Sequence, residues 1–340
     1  MLHVGINGFG RIGRLAFRCL LQTDGVEVVG VNDVAPLDNL AYLLRHDSVY
    51  RGPGVAVEAN DHELRWGERA IPYSQEKEPS AIDWDGLGAD VVVEASGQFT
   101  ERDKAAGHLE AGASHVIITA PADGVDLTIC LGVNEDQFDP EQHKVVSNAS
   151  CTTNCVAPVA KVLDERFGIE TGFLTTVHAV TSSQKLVDSP SKKWIRGRSA
   201  LVSIIPTSTG AAKAAELVLP QLKGKLDGLA MRVPIADGSI VDLVCHVREE
   251  TDREAVNRAF REAADTDRLR GILGISDELL VSSDIVGSEY SALVAADSTR
   301  VLGGRMLKVL AWYDNEWGYS RRIADLAAFI GERLPASARR

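Results

Sequence analysis

The G-x-G-x-x-G segment near the N-terminus constrains the fold of this 340-residue chain more than any other feature. The motif, Gly8-Phe9-Gly10-Arg11-Ile12-Gly13, follows the apolar run His3 to Asn7, which predicts a buried strand, and it opens a helical pattern from Arg11 to Leu21. A second strand pattern, Val26 to Asn32, ends at Asp33, 20 residues after the motif. The motif alone is a weak signal, but this spacing of strand, turn, helix, strand and acidic residue predicts a Rossmann dinucleotide-binding unit.

Each residue type in the motif has a physical reason to be there. Gly8 permits the tight turn, Gly10 lets a pyrophosphate approach the backbone, and Gly13 lets the helix pack on the strand. Arg11 and Ile12 supply backbone N–H groups at a helix start, where an anion is stabilised.

Asp33 bears on the choice of dinucleotide. It is expected to bond the adenosine ribose hydroxyls and to repel a 2′-phosphate. Two like charges ~4 Å apart at an effective dielectric constant of ~20 cost about 4 kcal/mol, and a third of that is about tenfold in affinity. This favours NAD over NADP. The alternative is a glycine-rich turn of another α/β protein with Asp33 as an ordinary turn residue, which the joint spacing makes the weaker reading.

The order of strand and helix patterns predicts two domains in an α/β chain. Strands and helices alternate over residues 1–150, which indicates a mostly parallel sheet with an antiparallel excursion at 55–73. Residues 151–316 carry longer, more widely spaced strand patterns, which predict an α+β domain with a mostly antiparallel sheet and covering helices. Two helices are expected with defined starts: Thr100 to Ala111 with Thr100 as N-cap, and Val156 to Phe167 with Pro158 in its first turn.

Composition excludes several classes of protein. The formal net charge of −12 is spread along the chain, which argues against general nucleic-acid binding. The sequence contains no 18-residue apolar run and no secretory pattern at its N-terminus, so a cytoplasmic protein that does not span a membrane is expected. The five cysteines form neither an even disulfide framework nor a zinc-ligand spacing, which indicates free thiols and no metal site.

Cys151 is the candidate nucleophile. It lies in Ser147-Asn148-Ala149-Ser150-Cys151-Thr152-Thr153-Asn154-Cys155, where a short strand pattern gives way to a helix. Backbone N–H groups at a helix start favour a thiolate, although a free cysteine titrates near pKa ~8.5. The alternative is a buried structural thiol, which is the reading preferred for Cys155 one turn later.

A base and an anion site are needed beside such a thiol. Among the eight histidines, His178 ends a strand pattern, but spacing alone does not select it. The segment Pro206 to Gly210 precedes a helical pattern and could hold phosphate at a helix N-terminus, or it could simply cap that helix. Cationic, hydroxyl-bearing or small candidates for an anion site are Thr181, Arg196, Thr209, Gly210 and Arg232. For Arg196 a solvated loop or a subunit contact is the open alternative.

The chain resembles the phosphorylating glyceraldehyde-3-phosphate dehydrogenases over nearly its whole length. The motifs that carry the resemblance, in order, are Ile6-Asn7-Gly8-Phe9-Gly10-Arg11-Ile12-Gly13, Ala149-Ser150-Cys151-Thr152-Thr153-Asn154-Cys155, Thr175-Thr176-Val177-His178, Ile204-Ile205-Pro206-Thr207-Ser208-Thr209-Gly210-Ala211-Ala212, Met231-Arg232-Val233-Pro234 and Trp312-Tyr313-Asp314-Asn315-Glu316-Trp317-Gly318-Tyr319-Ser320. Several long motifs in one order are highly specific.

The resemblance implies a role for each candidate. Cys151 is implied as nucleophile, and His178 as its base and later general acid. Residues implied in binding the substrate phosphate and the attacking phosphate are Ser150, Thr152, Thr181, Arg196, Thr209, Gly210 and Arg232. Contacts to NAD are implied, beyond the motif glycines, for Arg11, Ile12, Asp33, Lys77, Thr119 and Asn315, with Asn315 on the nicotinamide carboxamide.

The same resemblance implies the reaction and the assembly. The expected partners are glyceraldehyde 3-phosphate and inorganic phosphate, the expected assembly is a homotetramer, and residues 317–340 are expected as a helix that returns to the NAD-binding domain. Ser189-Pro190 departs from the family's usual pair at a position that helps choose between NAD and NADP. Erythrose-4-phosphate dehydrogenase, or another aldehyde-phosphate dehydrogenase of the family, is the nearest alternative. A dinucleotide-binding regulator or RNA-binding protein without catalysis is the alternative from another class.

Overall fold

The computed structural model describes residues 1–334 and divides the chain into two compact units. The first comprises Met1–Ile129, Asp136–Ala149 and, within the described residues, 320–334. The second comprises Cys130–Glu135 and Ser150–Tyr319. Residues 335–340, the end of the expected C-terminal helix segment, lie outside the described part.

The first unit is built on a mixed sheet whose centre is parallel. Its elements are β1 (Leu2–Asn7), α1 (Arg11–Leu20), β2 (Val26–Asn32), α2 (Leu37–Arg45), β3 (Val57–Ala59), β4 (Glu63–Trp66), β5 (Arg69–Ser74), α3 (Trp84–Leu87), β6 (Val91–Glu94), α4 (Arg102–Ala105), α5 (Gly107–Glu110), β7 (His115–Ile118), β8 (Leu127–Thr128) and β9 (Val145–Ser147). The strand order is β3-β4-β5-β2-β1-β6-β7-β9-β8. β1 pairs in parallel with both β2 and β6, so the order reverses at β1, and the loop after β1 opens at the switch point where such sheets bind ligands.

The antiparallel excursion at 55–73 is confirmed, because β4 pairs antiparallel with β3 on one side and with β5 on the other. The single helix expected from Thr100 to Ala111 is wrong. The segment forms the two short helices α4 and α5, and Glu101 rather than Thr100 stands at the N-cap of α4. Gly107 begins the second helix, and a Cβ there would lie 3.1 Å from Pro79 Cβ, so a close approach to that turn favours glycine where a continuous helix would disfavour it.

The second unit packs helices on one face of a mostly antiparallel sheet. Its elements are α6 (Cys151–Phe167), β10 (Ile169–His178), β11 (Ile205–Ser208), α7 (Ala211–Val218), β12 (Leu226–Arg232), β13 (Ser239–Val247), α8 (Arg253–Ala264), β14 (Leu273–Ser276), α9 (Ser282–Ile285), β15 (Ala292–Ala295), β16 (Arg300–Leu302), β17 (Met306–Tyr313) and α10 (Trp317–Arg333), the last shared with the first unit. The strand order is β11-β12-β10-β13-β17-β15-β14, with β16 beside β17. β10–β12 and β14–β15 are parallel, so the expected fold class is confirmed with a mixed second sheet.

Helix α6 begins at Cys151, five residues before the expected start at Val156. Ser150 is its N-cap and accepts a hydrogen bond from the Thr153 N–H at 3.0 Å, which satisfies one of the unpaired N–H groups of the first turn. Pro158 therefore lies inside the helix and not in its first turn, so that expectation is wrong. The helix tolerates the proline because its residues from Thr152 to Ala160 are all buried, and packing outweighs the lost backbone hydrogen bond.

Candidate active site

The turn formed by the G-x-G-x-x-G motif, the fingerprint turn, is closed by two glycines that leave no room for a side chain. Gly8 has φ +91°, and a Cβ there would lie 2.3 Å from the Ser96 backbone nitrogen. A Cβ on Gly13 would lie 1.9 Å from the Gly8 carbonyl oxygen, because α1 packs directly on the turn. Gly10 faces open space, and a Cβ added there would meet nothing within 4 Å. The turn is thus closely packed at Gly8 and Gly13 and open at Gly10.

A cleft of about 210 Å³ lies over this turn. Its walls include Gly8, Gly10, Asp33, Lys77 and Phe99. The first turn of α1 carries no acidic side chain, so the helix itself leaves the partial positive charge of its N-terminal N–H groups to a ligand. The cleft therefore suits an anionic ligand such as a dinucleotide pyrophosphate.

Asp33 is held rigidly at one side of this cleft. Its Oδ2 accepts a hydrogen bond from the Phe9 N–H at 2.5 Å, and its Oδ1 accepts from the Ala35 N–H at 2.9 Å. The carboxylate is therefore fixed against the fingerprint turn, where a ribose would lie if a pyrophosphate occupied the helix start.

The Asp33→Asn substitution is expected to change cofactor selectivity. It removes the negative charge that repels a 2′-phosphate, so the ratio of kcat/KM for NADP over NAD should rise roughly tenfold or more. Steady-state rates with both cofactors measure the ratio. An unchanged ratio in a folded variant would show that Asp33 does not exclude NADP.

The Arg11 guanidinium is engaged within the protein. Its Nη1 lies 2.5 Å from Asp47 Oδ2, and its Cζ stands 5.2 Å from the centroid of the Tyr50 ring. Burial would raise the pKa of Asp47, but the N–H groups of Tyr50 and Val49 and the Arg11 cation outweigh it and lower that pKa. The backbone N–H of Arg11 can therefore donate to a ligand in the cleft, while its side chain stays paired with Asp47.

The other expected cofactor contacts are spread over both units. Lys77 lines the cleft, and Ile12 follows Arg11 in the first turn of α1. Thr119 follows β7, and its N–H donates to the Glu94 carbonyl at 3.0 Å. Asn315 belongs to the second unit.

A buried polar network under the cleft was missed by sequence reasoning. Glu94 Oε2 accepts from Asn7 Nδ2 at 2.5 Å and lies 3.0 Å from His108 Nε2, while the Trp84 indole N–H donates to His108 Nδ1 at 2.9 Å. Since Nδ1 accepts, the imidazole proton is on Nε2 and faces the carboxylate. Glu94 Oε1 accepts from the Ser96 N–H at 2.8 Å, which ties the network to the loop under Gly8. Asn7 and Glu94 end strands that are almost wholly buried, and that was the available signal.

The second unit brings Cys151 and His178 together. Cys151 is the first residue of α6 and is partly exposed, whereas His178 is the last residue of β10 and is buried. Cys151 Sγ lies 3.5 Å from His178 Nε2. Parallel pairing of β10 with β12 sets His178 beside Arg232, whose Nη1 lies 2.5 Å from His178 Nδ1. The imidazole of His178 therefore contacts the Cys151 thiol through one ring nitrogen and the Arg232 guanidinium through the other.

Two partners compete for His178 Nδ1, and they define two tautomers. Nδ1 lies 2.7 Å from the Ala179 carbonyl oxygen, which can only accept, and 2.5 Å from the Arg232 guanidinium, which can only donate. With the proton on Nδ1, Nε2 is an acceptor for the thiol proton. With Nδ1 accepting from Arg232, Nε2–H is a donor towards Sγ. Each tautomer has a partner, so the ring can take a proton from sulfur and also return one.

Burial dominates the protonation of this site. It raises the pKa of the Cys151 thiol to about 11, although Arg232 and the N–H groups of Thr152 and Cys151 act in the opposite direction. Burial, followed by the Arg232 cation, lowers the pKa of His178 to about 3. The resting pair is thus a neutral thiol beside a neutral imidazole, and the thiol needs a proton acceptor before it can attack.

Tyr313 supports both halves of this pair and was also missed. Its hydroxyl lies 2.9 Å from Thr152 Oγ1 on α6 and 2.8 Å from Thr176 Oγ1 on β10. Its ring packs edge-on against the His178 ring with centroids 5.9 Å apart. The Thr152 hydroxyl is therefore directed into the core, and only its backbone N–H remains suited to the expected phosphate role.

The expected anion-binding residues fall into two groups. Arg196 Nε donates to Thr207 Oγ1 at 3.1 Å and Nη1 to Ser183 Oγ at 3.4 Å, and Ser183 Oγ lies 2.9 Å from Thr181 Oγ1. Thr209 and Gly210 stand at the start of α7, where Thr209 Oγ1 accepts from the Ala211 N–H at 3.2 Å.

After burial, the cation of Arg232, whose Nη1 contacts the ring, and then the cation of Arg196 lower the pKa of His178. Ser150 is used as the α6 cap, with its Oγ 2.7 Å from Thr153 Oγ1. Among residues 1–334 no group of three or more histidine, cysteine or acidic side chains could hold a metal ion.

A Rossmann unit with a dinucleotide cleft, followed by a unit that pairs a thiol with an imidazole beside an arginine, defines an NAD-dependent oxidoreductase. Two family models match the chain: "Glyceraldehyde 3-phosphate dehydrogenase, NAD binding domain" at residues 2–102 and "Glyceraldehyde 3-phosphate dehydrogenase, C-terminal domain" at residues 150–315.

Curated relatives match almost end to end. The chain is 52% identical over 332 residues to a glyceraldehyde-3-phosphate dehydrogenase of Geobacillus stearothermophilus, covering 98% of this chain and 99% of that protein. It is 53% identical, with the same coverage, to glyceraldehyde-3-phosphate dehydrogenase 1 of Bacillus subtilis (strain 168). The chain belongs to the glyceraldehyde-3-phosphate dehydrogenase family, as its motifs indicated, and these matches do not favour the erythrose-4-phosphate alternative.

Proposed function

We propose that this protein oxidises glyceraldehyde 3-phosphate, with NAD and inorganic phosphate, to 1,3-bisphosphoglycerate in glycolysis and gluconeogenesis. The observation that carries the proposal is the series Cys151 Sγ, His178 and Arg232, with Sγ 3.5 Å from Nε2 and Nδ1 2.5 Å from the guanidinium. A nucleophile, its base and an anion-binding cation are what a thiol-dependent oxidation of a phosphorylated aldehyde requires.

The chain's own residues account for the covalent steps. Sγ bonds to the aldehyde carbon as its proton passes to His178 Nε2, and the N–H groups at the start of α6 stabilise the developing oxyanion. His178 returns that proton to the oxyanion, which gives the neutral thiohemiacetal, and takes it back as the carbon gives up its hydride and becomes a thioester. NAD, when bound, would supply the hydride acceptor. A phosphate oxygen attacks that thioester carbon, and Sγ leaves as thiolate and is reprotonated from His178. The thioester keeps the energy of the oxidation that hydrolysis would release.

Phosphate-dependent reduction of NAD with glyceraldehyde 3-phosphate tests the proposal. Parallel assays with erythrose 4-phosphate and with NADP measure substrate and cofactor preference. Faster turnover of erythrose 4-phosphate, or turnover that does not require phosphate, would contradict it. Failure of the wild-type protein to reduce NAD with any phosphorylated aldehyde would favour a binding protein without catalysis.

Arg196 is proposed to bind the attacking phosphate, and the Arg196→Gln variant tests this. Since Arg196 is held between Thr207 and Ser183, its loss should raise the KM for inorganic phosphate roughly tenfold with a smaller change in the KM for NAD. Arg198→Gln is the matched control, because the Arg198 guanidinium pairs with Asp188 at the exposed surface. Equal phosphate KM values in both variants would remove Arg196 from this role.

NAD binding and the chemical steps are proposed to belong to separate predicted domains. Residues 1–150 bind NAD, residues 151–316 carry the chemistry, and the helix that begins at Trp317 packs, over its described residues, on the NAD-binding domain. The assignment of residues 320–334 to the first compact unit supports the last point.

A homotetramer is proposed as the working assembly. Helices α6, α7 and α8 pack on the sheet of the second unit, yet Phe173 on β10 is 68% exposed and Leu229 on the neighbouring β12 is 40% exposed. Their exposure, with that of Trp194 at 90% in the segment between β10 and β11, leaves apolar side chains that a subunit contact would cover. A cytoplasmic location is proposed with it. Among the described residues, the helices are too short or too polar to span a bilayer.

A further inference from the structure

Ser239 joins two parts of the second unit that its position in the sequence does not connect. It is the first residue of β13, is fully buried, and pairs in register with Tyr313 at the end of β17. Asn315 stands two residues beyond that strand end and is 4% exposed. Ser239 therefore lies between the end of β17 and the loop that follows His178.

The hydrogen bonds of Ser239 have a fixed direction. Its Oγ accepts from the Ala179 backbone N–H at 3.0 Å, because an amide N–H can only donate. Its one proton goes to Asn315 Oδ1 at 2.5 Å. The carbonyl of the same Ala179 accepts from Arg232 Nη1 at 2.9 Å and lies 2.7 Å from His178 Nδ1. One serine thus links the Asn315 amide to the residue that follows the imidazole.

This bond decides which end of the Asn315 amide faces a ligand. The terminal torsion of an asparagine is broad and roughly two-fold, so oxygen and nitrogen exchange places readily without a partner. Ser239 holds the oxygen, and among residues 1–334 the Asn315 side chain makes no other hydrogen bond, so Nδ2 keeps its donors for a ligand. A flipped amide would instead point an oxygen at the carbonyl oxygen of a nicotinamide carboxamide.

We propose that Ser239 is a positioning residue that fixes the Asn315 amide as a donor to the nicotinamide carboxamide oxygen and ties it to the loop after His178. The inference rests on the proposed function, since it deepens the role of Asn315 in binding NAD. Ser239 touches neither cofactor nor substrate in this role and acts through Asn315.

The test is a double-mutant cycle of Ser239→Ala and Asn315→Ala, measured on NAD and on thionicotinamide adenine dinucleotide. The analogue replaces the carboxamide oxygen with sulfur, a weaker acceptor. Ser239→Ala should lower kcat/KM for NAD roughly tenfold, the effect of about one hydrogen bond, and reduce the preference for NAD over the analogue. In the Asn315→Ala background the same change should have less than about a twofold effect, because its target is gone.

Ser291→Ala is the matched control, since Ser291 is also buried and its Oγ has no hydrogen-bond partner among the described residues. An equal loss from Ser239→Ala in both backgrounds, or an unchanged preference for NAD over the analogue, would overturn the inference. Where Ser239→Ala does not fold, Ser239→Cys substitutes a weaker donor of similar size. NAD dissociation constants from calorimetry complete the same cycle without turnover, so an inactive wild-type protein would contradict the proposed function and leave this inference testable.

Discussion

The Cys151→Ser variant is expected to lose phosphate-dependent turnover by about 10⁴-fold while it binds NAD as the wild type does. A serine hydroxyl is a weaker nucleophile than a thiol, and an oxygen ester lacks the good leaving group that phosphate must displace. The side chain at this position is the first of α6 and sits 3.5 Å from the His178 imidazole, so the substitution removes the reacting atom and keeps its surroundings. NADH formation measures turnover, and calorimetry measures NAD binding.

Cys155→Ser is the control that separates a lost nucleophile from a disturbed helix. Cys155 lies one turn later on α6, is fully buried, and its Sγ contacts the Ala311 carbonyl at 3.7 Å. Burial raises the pKa of Cys155 well above its usual range, which leaves it unreactive. Iodoacetate should therefore inactivate the Cys155→Ser variant and the wild type to the same extent. Substantial residual turnover in Cys151→Ser would exclude Cys151 as the nucleophile.

The first domain could be predicted closely because its signals are local. The β1, α1 and β2 elements follow the expected ranges within about one residue, since the glycine turn, the apolar periods and the acidic residue at the strand end all lie within one supersecondary unit. Where local signals compete, prediction fails. The helical pattern predicts Pro158 in a first turn, yet burial of the surrounding helix places it in the interior.

The partner of Cys151 could not be derived from spacing. His178 and Arg232 are 54 residues apart, and they meet because β10 and β12 pair in parallel with a register that no local pattern encodes. Only the resemblance to a family selected His178 from eight histidines. The buried links through Tyr313, Ser239 and Glu94 were missed for the same reason, since each joins elements that are distant in sequence.

The protonation state of the Cys151 thiol could also be inferred only from the structure and not from the sequence. A helix start predicts a lowered pKa for Cys151, and its N–H groups do act in that direction. Burial is the larger effect and raises the pKa to about 11, which a sequence cannot show. Near neutral pH the His178 imidazole, as proton acceptor, is therefore expected to contribute more to forming the Cys151 thiolate than the N–H groups of the helix start do.

Replacing His178 with asparagine is therefore expected to slow alkylation of Cys151 near pH 7 by about 10²-fold or more. Asparagine keeps a polar group near Sγ but cannot accept the thiol proton, so the thiolate must form against a pKa that burial already holds near 11. The alkylation rate of the variant should rise about tenfold per pH unit up to the thiol pKa, with a shallower rise in the wild type. Iodoacetamide, a neutral reagent, measures both profiles, and an unchanged rate at pH 7 would remove His178 from its role as base.

The same substitution should change how stability depends on pH, and His115 provides the control. Burial and the Arg232 cation hold the pKa of His178 near 3, and burial and Lys144 hold that of His115 near 4, whereas an unfolded histidine takes its proton near pH ~6.5. As pH falls below ~6.5, the unfolded chain binds these protons first, so the folded state loses stability until the folded-state pKa values are reached. Asparagine at either position should reduce the loss of unfolding free energy between pH 7 and pH 5. The alkylation rate should fall in the His178→Asn variant and stay unchanged in the His115→Asn variant, because His178, which lies 3.5 Å from Sγ, is the proposed base and His115 is not.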